Sequence, residues 1–225
     1  LERVTDHISN PNSKLPRQRF WTIRAKHIIL ASGALERHVA FNNNDIPGVM
    51  TVNASRHYLN RYGILTGNNI VITTNNDSVY QTALELQEAG SKVTILDSRK
   101  NVNLDLPKEI DVHLNTLPFS INGRKKIEGL DVCKATDKNN KNTIICDQVL
   151  ISGGWSPIVN LVSHRGIKPI WNQENLCFVP GDIKENITVV GSAKGIWNKN
   201  DCVKSGLVGA NEAMNTLGIQ KKEIS

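Results

Sequence analysis

Three short aliphatic runs in this chain end alike, in a cluster of small residues. Ile28-Ile29-Leu30 gives way to Ala31-Ser32-Gly33-Ala34, Val149-Leu150-Ile151 to Ser152-Gly153-Gly154, and Ile187-Thr188-Val189-Val190 to Gly191-Ser192-Ala193. Short runs of this kind predict buried strands, and small residues just past a strand let a backbone come close to something. In open α/β sheets ligands bind in the crevice beyond the carboxyl ends of the strands. Any one such end reads as an ordinary exit into a turn; three in order predict one ligand-lined edge.

Residues 19–25 alternate with the period of a half-buried strand that leads into the Ile28 run. A polar loop follows Arg37, with a turn at Pro47-Gly48; it reads either as a plain connector or as a loop facing a ligand or partner. Val52, Ser55, Tyr58, Leu59 and Tyr62 then share one helical face, and Gly63 is a natural stop. A strand over 69–73, a helix over 78–89 stopped by Gly90, and a strand over 92–97 ending in Asp97 make a βαβ unit of dinucleotide-binding length.

The phosphate loop of that unit is defective. It reads Thr74-Asn75-Asn76-Asp77-Ser78-Val79 where G-x-G-x-x-G/A is required. Without the glycines the backbone cannot approach a pyrophosphate, and Asp77 would repel one at the helix terminus. Asp97 keeps the place of a ribose-binding acid, but the missing glycines outweigh it. The unit therefore reads as structural, with Asp77 or Ser78 as a helix cap.

From 110 to 145, short alternating runs separated by Asn122-Gly123 and by the polar stretch 137–142 predict antiparallel hairpins. A return strand over 148–151 and irregular, briefly extended structure over 166–180 follow. The last strand spans 187–190. A helix over 202–217 carries small residues at Ser205, Gly206, Gly209, Ala210 and Ala213, which permits close packing, and its amino terminus beyond Gly195 is a place for an anionic cofactor.

Composition narrows the class. A hydrophobic fraction of 39% in 225 residues supplies a core for one large domain or parts of two. The chain opens on Leu1 and a patternless polar segment through Pro16, and reads as a piece of a larger protein. Neither a membrane-spanning apolar run nor a secretory signal is visible, so a cytoplasmic setting without a membrane partner is expected. Cys133, Cys146, Cys177 and Cys202 form no C-x-x-C pair and read as reduced, mostly buried thiols. The net charge of +6 has one compact cluster, Arg124-Lys125-Lys126, read as a solvated turn rather than a nucleic-acid site. The six histidines show no metal-ligand spacing.

Taken in order, A-S-G-A-L-E-R at 31–37, N-N-D-I-P-G-V-M at 43–50, Y-L-N-R-Y-G at 58–63, T-N-N-D-S-V-Y at 74–80, S-G-G-W-S-P at 152–157 and V-V-G-S-A-K-G at 189–195 closely resemble the nucleotide-binding half of the alpha subunit of heterotetrameric sarcosine oxidase. The resemblance runs from about residue 20 to 217 and includes the defective phosphate loop. It implies an incomplete two-dinucleotide-binding-domain fold of the disulfide-reductase kind, α/β, with a βαβ parallel sheet and a small antiparallel meander. Residues 1–50 would be a remnant of the first dinucleotide-binding domain, 51–155 the second, degenerate one, and 156–225 the return to the first.

Such an alpha subunit carries a further amino-terminal G-x-G-x-x-G unit and a carboxyl-terminal folate domain. Its complex oxidatively demethylates sarcosine with oxygen, using FAD and FMN, and passes the one-carbon unit to tetrahydrofolate. The resemblance implies NAD where disulfide reductases hold FAD, approached by Ala31, Ser32, Gly33 and Ala34 and closed over by Gly191, Ser192 and Ala193. Ser192 replaces the acid with which disulfide reductases bind the ribityl hydroxyls of FAD, which argues against ordinary FAD binding. The chain holds no hydride-transfer dyad, redox cysteine pair or complete phosphate cradle, so no catalytic residue or metal ligand is assigned and catalysis is not expected of it alone. A related FAD-dependent opine, proline or amine dehydrogenase subunit, or a structural module that binds no nucleotide, are the alternatives.

Overall fold

Strands with successive apolar residues, such as Ile70 to Ile72 and Val149 to Ile151, have to be buried on both faces, and they form the centre of this protein. The computed structural model describes residues 1–12, 14–103, 108 and 110–219. Five parallel strands lie in the order Val49–Thr51, Gln148–Ser152, Asn69–Thr74, Lys92–Asp97, Asp111–Leu114. Alternation sends Ile70, Ile72, Ile95 and Leu150 to one face, where they pack on Val79, Ala83 and Leu86. Val71, Leu96 and Val149 point the other way, onto Ile121, Ile127 and Leu130. The first face is covered by helices Val52–Tyr62 and Val79–Glu88, the second by an antiparallel sheet of Thr116–Gly123, Ile127–Lys134 and Asp137–Ile144.

Local signals set the boundaries. Thr51 Oγ1 accepts from the Ala54 amide at the start of helix Val52–Tyr62, and Gly63, at φ 65°, ends it: its amide donates to the Leu59 carbonyl and that of Ile64 to the Tyr58 carbonyl. Arg56 ties that helix to its neighbour through a two-pronged contact with Glu85, at 2.8 and 2.6 Å. The turn over 124–126 joins two antiparallel strands, as expected.

A smaller unit stands beside this sheet. Ile28–Leu30 pairs in parallel with Ile187–Val189, and helix Lys199–Thr216 lies against them with Gly209 at the contact. A Cβ on Gly209 would come within 2.6 Å of Val190 Cγ1 and 3.2 Å of Thr188 Cγ2. The two units are joined by a two-stranded antiparallel ribbon, Ala34–Glu36 against Trp155–Pro157.

Several expectations are corrected. The strand over 19–25 is absent: only Gln18–Arg19 is extended and paired, while Phe20, Trp21 and Ile23 are 80%, 57% and 82% exposed. An alternating segment buries a face only where a sheet lies beside it, and none does among the described residues. The polar stretch 137–142 is strand, not connector. It forms most of the edge strand Asp137–Ile144, almost wholly in water, where polarity carries no penalty. Asp111–Leu114 joins the parallel sheet rather than a hairpin. The final helix begins at Lys199, earlier than expected. Residues 220–225, the end of the expected return segment, and residue 13 in the opening segment lie outside the described residues.

The four cysteines are unpaired, three of them buried. Burial, reinforced by the charge of Asp147, pushes the Cys146 thiol up to about 11. No described helix is long and apolar enough to cross a membrane.

Gly206 and Gly209 make opposite predictions. A Cβ on Gly206 meets nothing, so Gly206→Ala gains about 0.5–1 kcal/mol of helix propensity. Gly209→Ala overpacks against Val190 and costs about 1–3 kcal/mol. Urea denaturation midpoints of the two variants should therefore move in opposite directions.

Candidate functional site

Two of the three small-residue strand ends meet. The ladder between Ile28–Leu30 and Ile187–Val189 continues as the Val190 amide donates to the Leu30 carbonyl at 3.0 Å, which sets residues 31–34 beside 191–193. Gly33, at φ 80°, would place a Cβ 3.9 Å from Ser192 Oγ. Ser32 Oγ donates to the Ile158 carbonyl at 3.1 Å, and the Ile158 amide donates to the Gly33 carbonyl at 3.0 Å, so this turn is held from behind. Gly191 donates to Ser205 Oγ at 3.2 Å, and Ala193 is fully buried. Among the described residues, nothing accepts from the amides of Ser32, Gly33, Ser192 or Ala193.

The third end, Ser152-Gly153-Gly154, lies elsewhere. It terminates a strand of the five-stranded sheet and runs into the ribbon, where Gly153 donates to the Arg37 carbonyl at 2.8 Å and Arg37 donates to the Gly154 carbonyl at 2.9 Å. A Cβ on Gly153 would stand 3.1 Å from the Arg37 carbonyl oxygen, and one on Gly154 2.6 Å from Arg37 Nη2. Its small residues serve a chain crossing, so the single edge reduces to two strand ends.

The helix terminus proposed for an anion is also taken. Asn198 Oδ1 accepts from the Asn200 and Asp201 amides, and Asp201 brings a negative charge into the first turn.

At the carboxyl end of the βαβ unit the polar groups are tied to one another. Asp97 is fully buried and accepts from the Arg99 amide at 2.9 Å, Arg99 Nη2 at 2.7 Å and the Tyr80 hydroxyl at 2.9 Å. Burial, followed by the bond to Asp97, drives the Tyr80 hydroxyl far above its ordinary range. Arg99 also reaches across the loop to Asp77 at 2.6 Å. The carboxylate that would hold a ribose and the acid that displaces a phosphate are thus bridged by one guanidinium. Ser78 stands at the helix start, but its side chain makes no cap. It donates to Asn76 Oδ1 at 2.6 Å and accepts from Trp155 Nε1 at 3.0 Å. Asn76 Oδ1 takes the Ser78 amide instead, at 3.1 Å, and Asn76 Nδ2 donates to Ser152 Oγ at 3.2 Å.

Between the units Trp155 stacks on Trp197, centroids 6.4 Å apart and rings 30° from coplanar. The pair stands at the border of two cavities. One, of about 530 Å³, includes Ala34, Glu36, Lys199 and Ser192 in its walls; the other, of about 680 Å³, includes Arg37, Asn75, Asp77 and Glu174. Glu36, Arg99 and the two tryptophans escaped the sequence reading. Asp97-x-Arg99 was the one legible hint, since an arginine two residues past a buried acid can fold back on it. Among the described residues no cluster of His, Cys, Asp or Glu is placed to hold a metal ion.

No protein-family model matches the chain. The alpha chain of sarcosine oxidase from Rhizobium meliloti (strain 1021) is 37% identical over 221 residues, 97% of this chain and 22% of that protein. Its counterpart from Corynebacterium sp. (strain U-96) is 31% identical over 230 residues, 98% of this chain and 24% of that protein. The chain is similar to one segment of sarcosine oxidase alpha subunits. It spans less than a quarter of the length of these relatives. An opine oxidase subunit of Rhizobium meliloti is more distant, 25% identical over 88% of this chain and 43% of its own.

Among solved structures, Lactococcus lactis thioredoxin reductase superposes with a TM-score of 0.65 at 21% identity, covering 86% of this chain and 66% of its own. L-proline dehydrogenase from P. horikoshii gives 0.64 at 23% identity, covering 88% and 36%. The fold is thus the two-dinucleotide-binding-domain, disulfide-reductase-like α/β fold.

Removing Arg99 strips a buried carboxylate of its only ion-pair partner among the described residues, so Arg99→Ala costs about 3 kcal/mol or more. Asp77 is 57% exposed at its side chain, and Asp77→Asn costs below about 1 kcal/mol. Equal losses for the two variants in chemical denaturation would contradict this division.

Proposed function

We propose that this chain is the nucleotide-holding part of an alpha subunit of the sarcosine oxidase type. The observation that carries the reading is the meeting of residues 31–34 with residues 191–193 beyond two parallel strands, with backbone amides left without protein acceptors among the described residues. Free N–H groups grouped in this way suit the oxygens of a phosphate. Two turns at positive φ, Gly33 at 80° and Gly191 at 65°, keep side chains out of the approach. On this reading Ala31, Ser32, Gly33 and Ala34 contact one side of a dinucleotide and Gly191 and Ser192 the other, with the fully buried Ala193 supporting them from behind.

The dinucleotide we assign is NAD. Ser192 supplies a hydroxyl where ribityl hydroxyls of FAD would call for a carboxylate. Residues 1–50 and 156–225 then belong to the domain that holds it, and 51–155 to a second domain whose strand-end acid, Asp97, is taken by Arg99. Oxidative demethylation of sarcosine, a CH–NH donor, would need FAD, FMN and tetrahydrofolate on other parts of a cytoplasmic hetero-oligomeric complex. This segment binds and positions; it does not catalyse by itself.

A second reading draws on the opine oxidase relative and the proline dehydrogenase fold. Under it the protein serves a different amine dehydrogenase and holds FAD. The third, a structural module, predicts no nucleotide.

The test is release of bound nucleotides from the full-length protein, co-expressed with its partners, and their identification by mass. NAD with flavins, plus oxygen uptake on sarcosine, is the expected result. FAD in the alpha subunit without sarcosine turnover favours the second reading, and a nucleotide-free alpha subunit leaves the third. Gly33→Val forces a β-branched residue to φ 80°, and its retained nucleotide should fall about tenfold or more. Undiminished nucleotide in that variant would remove Gly33 from the site.

A further inference from the structure

Ala34 and Glu36 lie two residues apart on one short strand, so their side chains share a face, while Leu35 points away and is 65% exposed. Both line the cavity that also includes Ser192. Glu36 is partly buried there. Its Oε2 accepts from the Asn53 amide at 2.8 Å, at the start of helix Val52–Tyr62. Burial raises its carboxyl above the ordinary range, against the pull of the Asn53 amide, the Ser152 and Thr51 hydroxyls and, least of these, His38.

No cation is paired with it. Among the described residues Glu36 has no ion-pair partner; Arg56, on the same cavity, is committed to Glu85 through both prongs, and Lys199 is exposed. A carboxylate on a cavity wall that is held by an amide and hydroxyls, but has no ion-pair partner among the described residues, favours a ligand that brings a positive charge.

We propose that Glu36 makes this cavity selective for a positively charged ring, hence for oxidised nicotinamide over its uncharged reduced form and over the uncharged ring system of a flavin. The inference rests on the nucleotide reading above and extends it to the residue that sets the preference. The chemistry is electrostatic. Reduction of the nicotinamide removes the positive charge, and with it the attraction to Glu36, while the rest of the dinucleotide is unchanged.

The experiment uses the full-length protein in its complex, freed of nucleotide and titrated calorimetrically with NAD⁺ and with NADH. The wild type should bind NAD⁺ about tenfold more tightly than NADH. Glu36→Gln keeps an acceptor for the Asn53 amide but no charge, and should bring the two affinities together; Glu36→Asp should retain part of the preference. Melting temperatures of both variants near wild type establish that the fold is intact. Equal affinities in the wild type, or a ratio unchanged in Glu36→Gln, would overturn the role of Glu36 and leave nucleotide binding standing. Binding of neither nucleotide by the wild type would overturn both.

Discussion

The ribbon of Ala34–Glu36 against Trp155–Pro157 is the constraint on which the rest depends. The chain leaves the smaller unit and returns to it at one place, and every polar backbone group on that crossing needs a partner. Pairing the two passes satisfies them. It also brings residues 31–34 within reach of 191–193, because the strands that precede each stretch can then form a parallel pair. The glycines at 153 and 154 belong to this crossing: side chains there would collide with Arg37.

The βαβ unit keeps the strand–helix–strand core of a dinucleotide-binding fold without the glycines of its phosphate loop. Its sheet and helices are held by Ile70, Ile72, Leu86 and Ile95, all buried, and none of these residues belongs to the phosphate loop. Once glycines are absent, the strand end still presents a buried acid, which costs several kcal/mol if left without a partner. Arg99 offsets that cost and also ties Asp77 to the strand end. The strand end thereby contributes to stability.

Between the units, the tryptophan pair and Glu36 give the cleft its character. Trp155 is bonded to Ser78 of the larger unit and stacked on Trp197 of the smaller, so one side chain fixes the spacing of both. The cleft is therefore walled by aromatic faces, with a carboxylate that no described cation pairs.

The sequence by itself determined whatever depends on neighbours along the chain. Strands at 69–74 and 92–97, the helix between them, the Gly63 stop and the defective phosphate loop all follow from period, caps and turn residues, which act over a few positions. The three small-residue strand ends were equally legible, since each is local. Only the tertiary structure decided which motifs meet. The third strand end went to a chain crossing, Asp97 found Arg99 and Tyr80, the alternating segment 19–25 found no sheet, and the polar stretch 137–142 became an edge strand. Those outcomes turn on burial and on partners distant in sequence, and a residue's own chemistry does not say which partner the fold will bring to it.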